Sequence, residues 1–273
     1  MPDNVARADA DWLALREPAD AGARSTDLVE ALRPHLPTDG LMVHDLGCGT
    51  GSMARWLAPQ LAGPQHWVGY ERDDELLSRA AAAPPPLSRD GQPVTIETRL
   101  RDITRLPTDD LDGASLITAS ALLDMMTSDE ISRTVASISA ARCPALITLT
   151  VVGQVELAPA HPLDGHLNAA FNAHQMRDTS HGQPLAGPDA VYVAAHALKQ
   201  AGYTLQSTPS LWRLCSDDSA LLKAWLEGWV DAACEQDPSI RIEASEYRGR
   251  RIQQIDRRQL TATVHHQDLL ALQ

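Results

Sequence analysis

The stretch Val43-His44-Asp45-Leu46-Gly47-Cys48-Gly49-Thr50-Gly51 decides the fold. A short apolar run leads into an acid and three alternate glycines, and an amphipathic segment follows through Leu61. That order reads as a strand, a tight turn and a helix. Glycine permits positive φ and a close approach of backbone to a ligand, and a helix start leaves N–H groups unpaired. The turn therefore reads as a nucleotide-type loop. A dinucleotide loop asks for Gly-x-Gly-x-x-Gly, whereas Ser52 stands here at the third glycine position and Gly51 comes one place early. Asp45, two residues before the first glycine, would serve an anion poorly and suits a cationic group.

The pattern apolar-x-Asp-x-Gly-x-Gly-x-Gly resembles the first motif of class I S-adenosylmethionine-dependent methyltransferases, whose ligand carries an ammonium and a sulfonium instead of a pyrophosphate. The resemblance implies S-adenosylmethionine as cofactor, S-adenosylhomocysteine as product, and contacts from Asp45, Gly47, Cys48, Gly49 and Gly51. A Gly-rich turn with no ligand is the plain alternative. A second strand should then end in an acid for the ribose hydroxyls. His66 to Glu71 reads as that strand, and Glu71, with Arg72 after it, lies 20 residues beyond Gly51. A carboxylate accepts from two vicinal hydroxyls at once. Asp73, Asp74 and Glu75 read instead as the acidic start of the next helix.

Val94 to Thr98 alternates apolar and polar residues as a half-buried strand does, and Arg101-Asp102-Ile103 follows it. An aspartate in a loop is ordinarily a turn residue. In the methyltransferase family an acid here accepts from the adenine amine and the next residue's backbone meets the ring, so the resemblance lifts Asp102 and Ile103 into the site. The next strand, Ala114 to Ser120, brings Ser120, Ala121, Leu122 and Leu123 to the carboxyl edge of the sheet, beside the methionine part of the cofactor. Thr127 and Glu130 form a capping box for the helix after it. No Asn-Pro-Pro-Tyr-like sequence occurs, which withdraws support from nucleobase amine methylation.

A chain of 273 residues with 44% hydrophobic content can bury one large core, or one core and a lid. The reading is a single methyltransferase domain over 1–273, with an N-terminal helical cover at 1–34. In such a cover Arg16 or Arg24 would reach the methionine carboxylate, against the more ordinary reading of surface arginines. A net charge of −13 opposes a nucleic-acid partner and favours a small-molecule acceptor. No apolar run of about 18 residues and no signal-like start appears, so no membrane association and a cytoplasmic location are expected. Cys48, Cys143, Cys215 and Cys234 lack any Cys-x-x-Cys spacing and read as reduced thiols; no metal site is expected.

Ala145 to Val152 is a strongly apolar strand, and the next expected helix starts only at Pro188. Residues 153–187 thus read as an insertion at the ligand end of the sheet, a substrate cap. Pro162 opens a helix with Leu163, Leu167, Ala170 and Phe171 on one face and Asp164, Asn168, Asn172 and Gln175 on another. Asn168, Asn172 and Arg177 are the candidates for acceptor binding. His174, with His161 behind it, is the candidate base. A solvated outer face explains the same stripe equally well.

Tyr203 to Gln206, continuing toward Leu214, and Leu260 to His266 read as the last two strands, with a helical insertion at 216–258 between them. Five arginines within 248–258 are the signature of a solvated helix face or of an anion receptor. The tryptophans fit a core or a subunit contact, so a homodimer stays open. Helices alternating with seven strands give a doubly wound α/β sheet, and the resemblance adds a mostly parallel order of 3-2-1-4-5-7-6. Methyl transfer to a small-molecule oxygen, nitrogen or carbon nucleophile is the expected activity. A binding module without turnover and a nicotinamide-dependent oxidoreductase are the alternatives.

Overall fold

The computed structural model describes residues 8–273. Of the N-terminal cover, residues 1–7 lie outside the described residues. Seven strands form one sheet: β1 (Leu41–Leu46), β2 (Gln65–Glu71), β3 (Val94–Leu100), β4 (Leu116–Ser120), β5 (Ala145–Ala158), β6 (Thr204–Leu214) and β7 (Thr261–Leu272). Their order is β3-β2-β1-β4-β5-β7-β6, parallel except for β7, which runs antiparallel to both neighbours. The expected topology holds. β1, β4 and the first half of β5 are buried on both faces and read as largely apolar runs for that reason, whereas the edge strand β3 alternates in exposure.

Helices α2 (Thr26–Leu32) and α3 (Ser52–Leu57) bury Leu28, Val29, Met53 and Leu57 against one face. Helices α5 (Ser128–Ala141) and α7 (Ala190–Gln200) bury Ile131, Val135, Ala194 and Leu198 against the other. The capping box of Thr127 and Glu130 is formed as its sequence predicts.

The structure departs from the sequence reading beyond Val152. The strand does not end there: β5 continues to Ala158, so residues 153–158 belong to the sheet and not to an insertion. Gly153, at φ +75°, sits in a register shift between Val151 and Val155. It is a bulge, and a glycine inside a strand marks a bulge as readily as an end. β7 also runs past His266, and β6 tolerates Pro209 because it is the edge strand. The three long strands overhang the parallel sheet. Helices α6 (Asp164–Gln175), α8 (Ser219–Gln236) and α9 (Arg241–Asp256) pack on this overhang around Trp212, Trp225, Trp229 and Tyr247. Those tryptophans are core.

A second bulge is fixed by Asp268, which is fully buried. Leu149 takes φ +57° and donates its N–H to Asp268 Oδ1 at 2.7 Å, while Ser210 Oγ donates to the same oxygen and Ser25 N to Oδ2 at 2.8 Å. One carboxylate thus ties β5, β6, β7 and the start of α2. Helix α1 (Ala10–Ala23) lies across the carboxyl edge of the sheet, capped by Asp9. Glu17 holds it to Arg55 of α3 through two contacts of 2.7 Å, and Trp12 and Leu15 pack against the overhang core.

Candidate active site

Gly47, Gly49 and Gly51 take φ of +67°, +53° and +84° between β1 and α3. Side chains at these positions would be strained, and all three are also short of space, Gly51 against Arg55 Nη1 at 3.3 Å. A β-carbon on Gly47 would stand 2.9 Å from Leu122 Cδ1, and one on Gly49 would stand 3.3 Å from Leu13 Cδ1. The loop is a cradle that a β-carbon would fill. Cys48 points away from it: its thiol is packed so tightly on Gly69 that a β-carbon there would lie 2.8 Å from the sulfur. Burial pushes that thiol's pKa up, so it is a packing group and not a thiolate.

Glu71 ends β2 and braces the loop. Its Oε2 accepts from Gly49 N at 3.1 Å, and its Oε1 from Arg72 N at 2.8 Å and Asp73 N at 3.0 Å. Asp102 follows β3 and caps the single turn Ile103–Arg105, accepting from Thr104 N and Oγ1 at 3.0 and 2.8 Å. Both carboxylates, with Arg72 and Ile103, line a cavity of about 430 Å³ at the carboxyl edge of the sheet. That volume is within the range of small-molecule sites.

The opposite wall holds two charges short of partners. Asp45 is 2% exposed; its Oδ1 accepts from Thr118 Oγ1 at 2.7 Å, and its buried Oδ2 has no partner. Burial raises its pKa to about 7. Arg24 is 4% exposed, which corrects the surface reading its sequence favours. Its Nη2 donates to Ser52 Oγ at 3.2 Å and Ser120 Oγ at 3.0 Å, its plane lies 5.4 Å from Trp56, and Nε and Nη1 have no partner. Burial lowers the guanidinium's pKa, and Asp20 and Asp45 oppose that shift. An orphaned carboxylate oxygen and orphaned guanidinium N–H groups on one wall complement an α-amino acid zwitterion. Ser120 and Ala121, the latter at φ +51°, complete the wall.

The expected acceptor stripe is elsewhere. Asn168 and Asn172 both donate from Nδ2 to the Gly153 carbonyl, at 2.9 and 2.7 Å. His174 Nε2 lies 3.1 Å from Glu235 of α8, and Arg177 donates to the His174 carbonyl at 3.0 Å. His161 Nδ1 accepts from Leu163 N at 3.1 Å, and its ring meets Tyr247 edge-on. None of His161, Asn168, Asn172, His174 or Arg177 lines the cavity. The physical reason is the Gly153 bulge: its carbonyl points at α6, and the polar stripe satisfies it. Arg251 from the arginine run is likewise structural. It is 1% exposed and grips Asp164 at 2.6 and 2.9 Å and the Pro159 carbonyl at 2.7 Å.

Trp12 and Leu13 of the N-terminal helical cover line the cavity, as does Asp124, which was not singled out in the sequence for it. Asp124 stands one residue beyond the segment placed at the strand edge, in no motif. No group of three or more metal-ligating side chains occurs among the described residues.

A loop of three positive-φ glycines, an acid ending the second strand and a sheet of order 3-2-1-4-5-7-6 define the class I methyltransferase architecture. Residues 43–144 match the family model described as a methyltransferase domain. The fold is similar to the cyclopropane synthase MmaA2 from Mycobacterium tuberculosis, with 15% identity, a TM-score of 0.50, and coverage of 97% of this chain and 94% of that one. It also resembles the YcgJ protein from Bacillus subtilis, with 12% identity, a TM-score of 0.48, and coverage of 90% and 97%. No curated protein matches the chain by sequence.

Proposed function

We propose that this chain transfers a methyl group from S-adenosylmethionine to a small-molecule acceptor bound at the Trp12 and Leu122 end of the same cavity. The observation that carries the reading is the orphaned pair on the cavity wall, Asp45 Oδ2 with Arg24 Nε and Nη1. Buried polar groups without partners are costly, and a ligand bearing an ammonium and a carboxylate relieves both. Arg24 and Asp45 line the cavity while these three atoms are enclosed, so pairing with the ligand requires the two side chains to turn toward it.

When bound, S-adenosylmethionine supplies a methyl group on a sulfonium, already activated for displacement. The chain's own tasks are then alignment and exclusion of water. Glu71 accepts from the ribose hydroxyls and Asp102 from the adenine amine. Arg24 holds the carboxylate, Asp45 the ammonium. Trp12 and Leu13 of α1 cover the loop. A net charge of −13 supports a small acceptor over a polyanion. Ser52, whose hydroxyl receives Arg24, stands where a dinucleotide loop needs its third glycine, which argues against a nicotinamide cofactor.

Calorimetry with S-adenosylhomocysteine and with methylthioadenosine, which lacks the amino-acid end, tests the reading. Arg24→Met should weaken the first by about 10- to 100-fold, the worth of a charge-assisted hydrogen bond, and leave the second unchanged. Equal losses for both ligands would contradict it.

A further inference from the structure

Past Ser120 and Ala121 the cavity continues to Trp12, Arg16, Asp20, Leu122, Asp124 and Met125. Two of the three charged groups at this end are engaged with each other. Arg16 Nε lies 3.2 and 3.0 Å from the carboxylate oxygens of Asp20, and the Trp212 indole N–H donates to the same carboxylate at 3.0 Å. The remaining group is Asp124. It sits in the turn Leu123–Met125 that follows β4, and among the described residues no side chain hydrogen-bonds to it. It is half-buried because it opens on the cavity, with protein packed on its other sides. The cations that act on it through space are Arg16 from α1, which lines the same cavity, and Arg177 from the segment after α6.

We propose that Asp124 faces the reacting methyl group and accepts the proton of the acceptor's nucleophile, so that the acceptor is a hydroxyl or amine compound. This rests on the methyl-transfer reading above. The O–H or N–H bond gives its proton to an Asp124 oxygen. The nucleophile's electron pair forms the bond to the methyl carbon, and the pair of the broken carbon–sulfur bond stays on sulfur. One positive and one negative charge disappear together, so the balance closes without a co-reactant. Burial raises the pKa of Asp124 while Arg16 and Arg177 oppose the shift, which suits a carboxylate that must be ionised before transfer and protonated after it.

The test needs no acceptor. A carboxylate beside the methyl favours the sulfonium of S-adenosylmethionine over the neutral sulfur of S-adenosylhomocysteine, and only while it is ionised. The two ligands share their ammonium, so titration of Asp45 cancels from the ratio of their affinities. Calorimetry on the whole chain should show that ratio rising about tenfold as pH increases upward from the ordinary carboxylate range, an effect of the size expected for a nearby charge in a partly buried site. Asp124→Asn should make the ratio flat, and Asp124→Glu should restore a pH-dependent ratio. A flat ratio in the unaltered chain, or a pH dependence that survives in Asp124→Asn, overturns the assignment. Failure of both ligands to bind the unaltered chain overturns the cofactor reading, and the proposal with it.

Discussion

Asp45 is a carboxylate held where its charge is poorly solvated, with a pKa raised to about 7. The sign of the consequence follows from linkage. Between the ordinary carboxylate value and about 7 the unliganded folded protein binds this proton more tightly than the unfolded chain, so this group's contribution to stability falls as pH rises through that window. Binding an ammonium runs the other way, because only the ionised form pairs with it. Affinity for S-adenosylhomocysteine should therefore improve by up to about tenfold per unit as pH rises from about 5 to 7, then level off. Asp45→Asn should give a weak, flat profile in the same titration. A flat profile in the unaltered chain would remove Asp45 from the site. Asp45 stood out in the sequence because it precedes the glycine loop, and the family resemblance pointed to Glu71 and Asp102; all three line the cavity. Asp124 did not stand out, and Arg24 was one of two candidates whose burial the sequence did not show. Arg24 is buried by contacts with Ser52 and with Ser120, 96 positions away in the chain, and local pattern carries no such information.

At the scale of elements, α6 shows how a polar stripe misleads. Asn168, Asn172 and His174 have the composition of a binding face, yet they answer a bulged strand and a neighbouring helix. Asn172→Ala and His174→Ala should leave S-adenosylhomocysteine affinity within about threefold, under roughly 0.7 kcal/mol. Arg251→Met is the opposite case. It removes the buried partner of Asp164 and the donor to the Pro159 carbonyl, and should lower stability by about 3–5 kcal/mol in denaturant unfolding. A loss below about 1 kcal/mol would mean that the α6 and α9 contact is not held by this pair. The run of arginines read as a solvated face because sequence gives no sign that one of them turns inward. Gly153 read as a strand end because a bulge and a terminus share the same residue type.

At the scale of the molecule, the alternation of helices and apolar strands announced the doubly wound sheet, and the glycine loop marked the edge where the cavity opens. The continuation of β5 into that overhang stayed hidden because Gly153 read as the strand's end, although Gln154, Val155, Glu156 and Leu157 beyond it alternate in exposure as a half-buried strand does. That overhang has a consequence for the site: it gives α1 a second surface, so the helix rests on the tryptophan core at one side and on Gly49 through Leu13 at the other. No helix among the described residues is long and apolar enough to cross a membrane. The central claim is that the cavity at the carboxyl edge of the sheet receives S-adenosylmethionine. Calorimetric titration with S-adenosylhomocysteine and, separately, with NAD tests it most directly. Saturable one-to-one binding of S-adenosylhomocysteine, with Kd on the order of micromolar, and no binding of NAD are expected. Binding of NAD with no response to S-adenosylhomocysteine would contradict it.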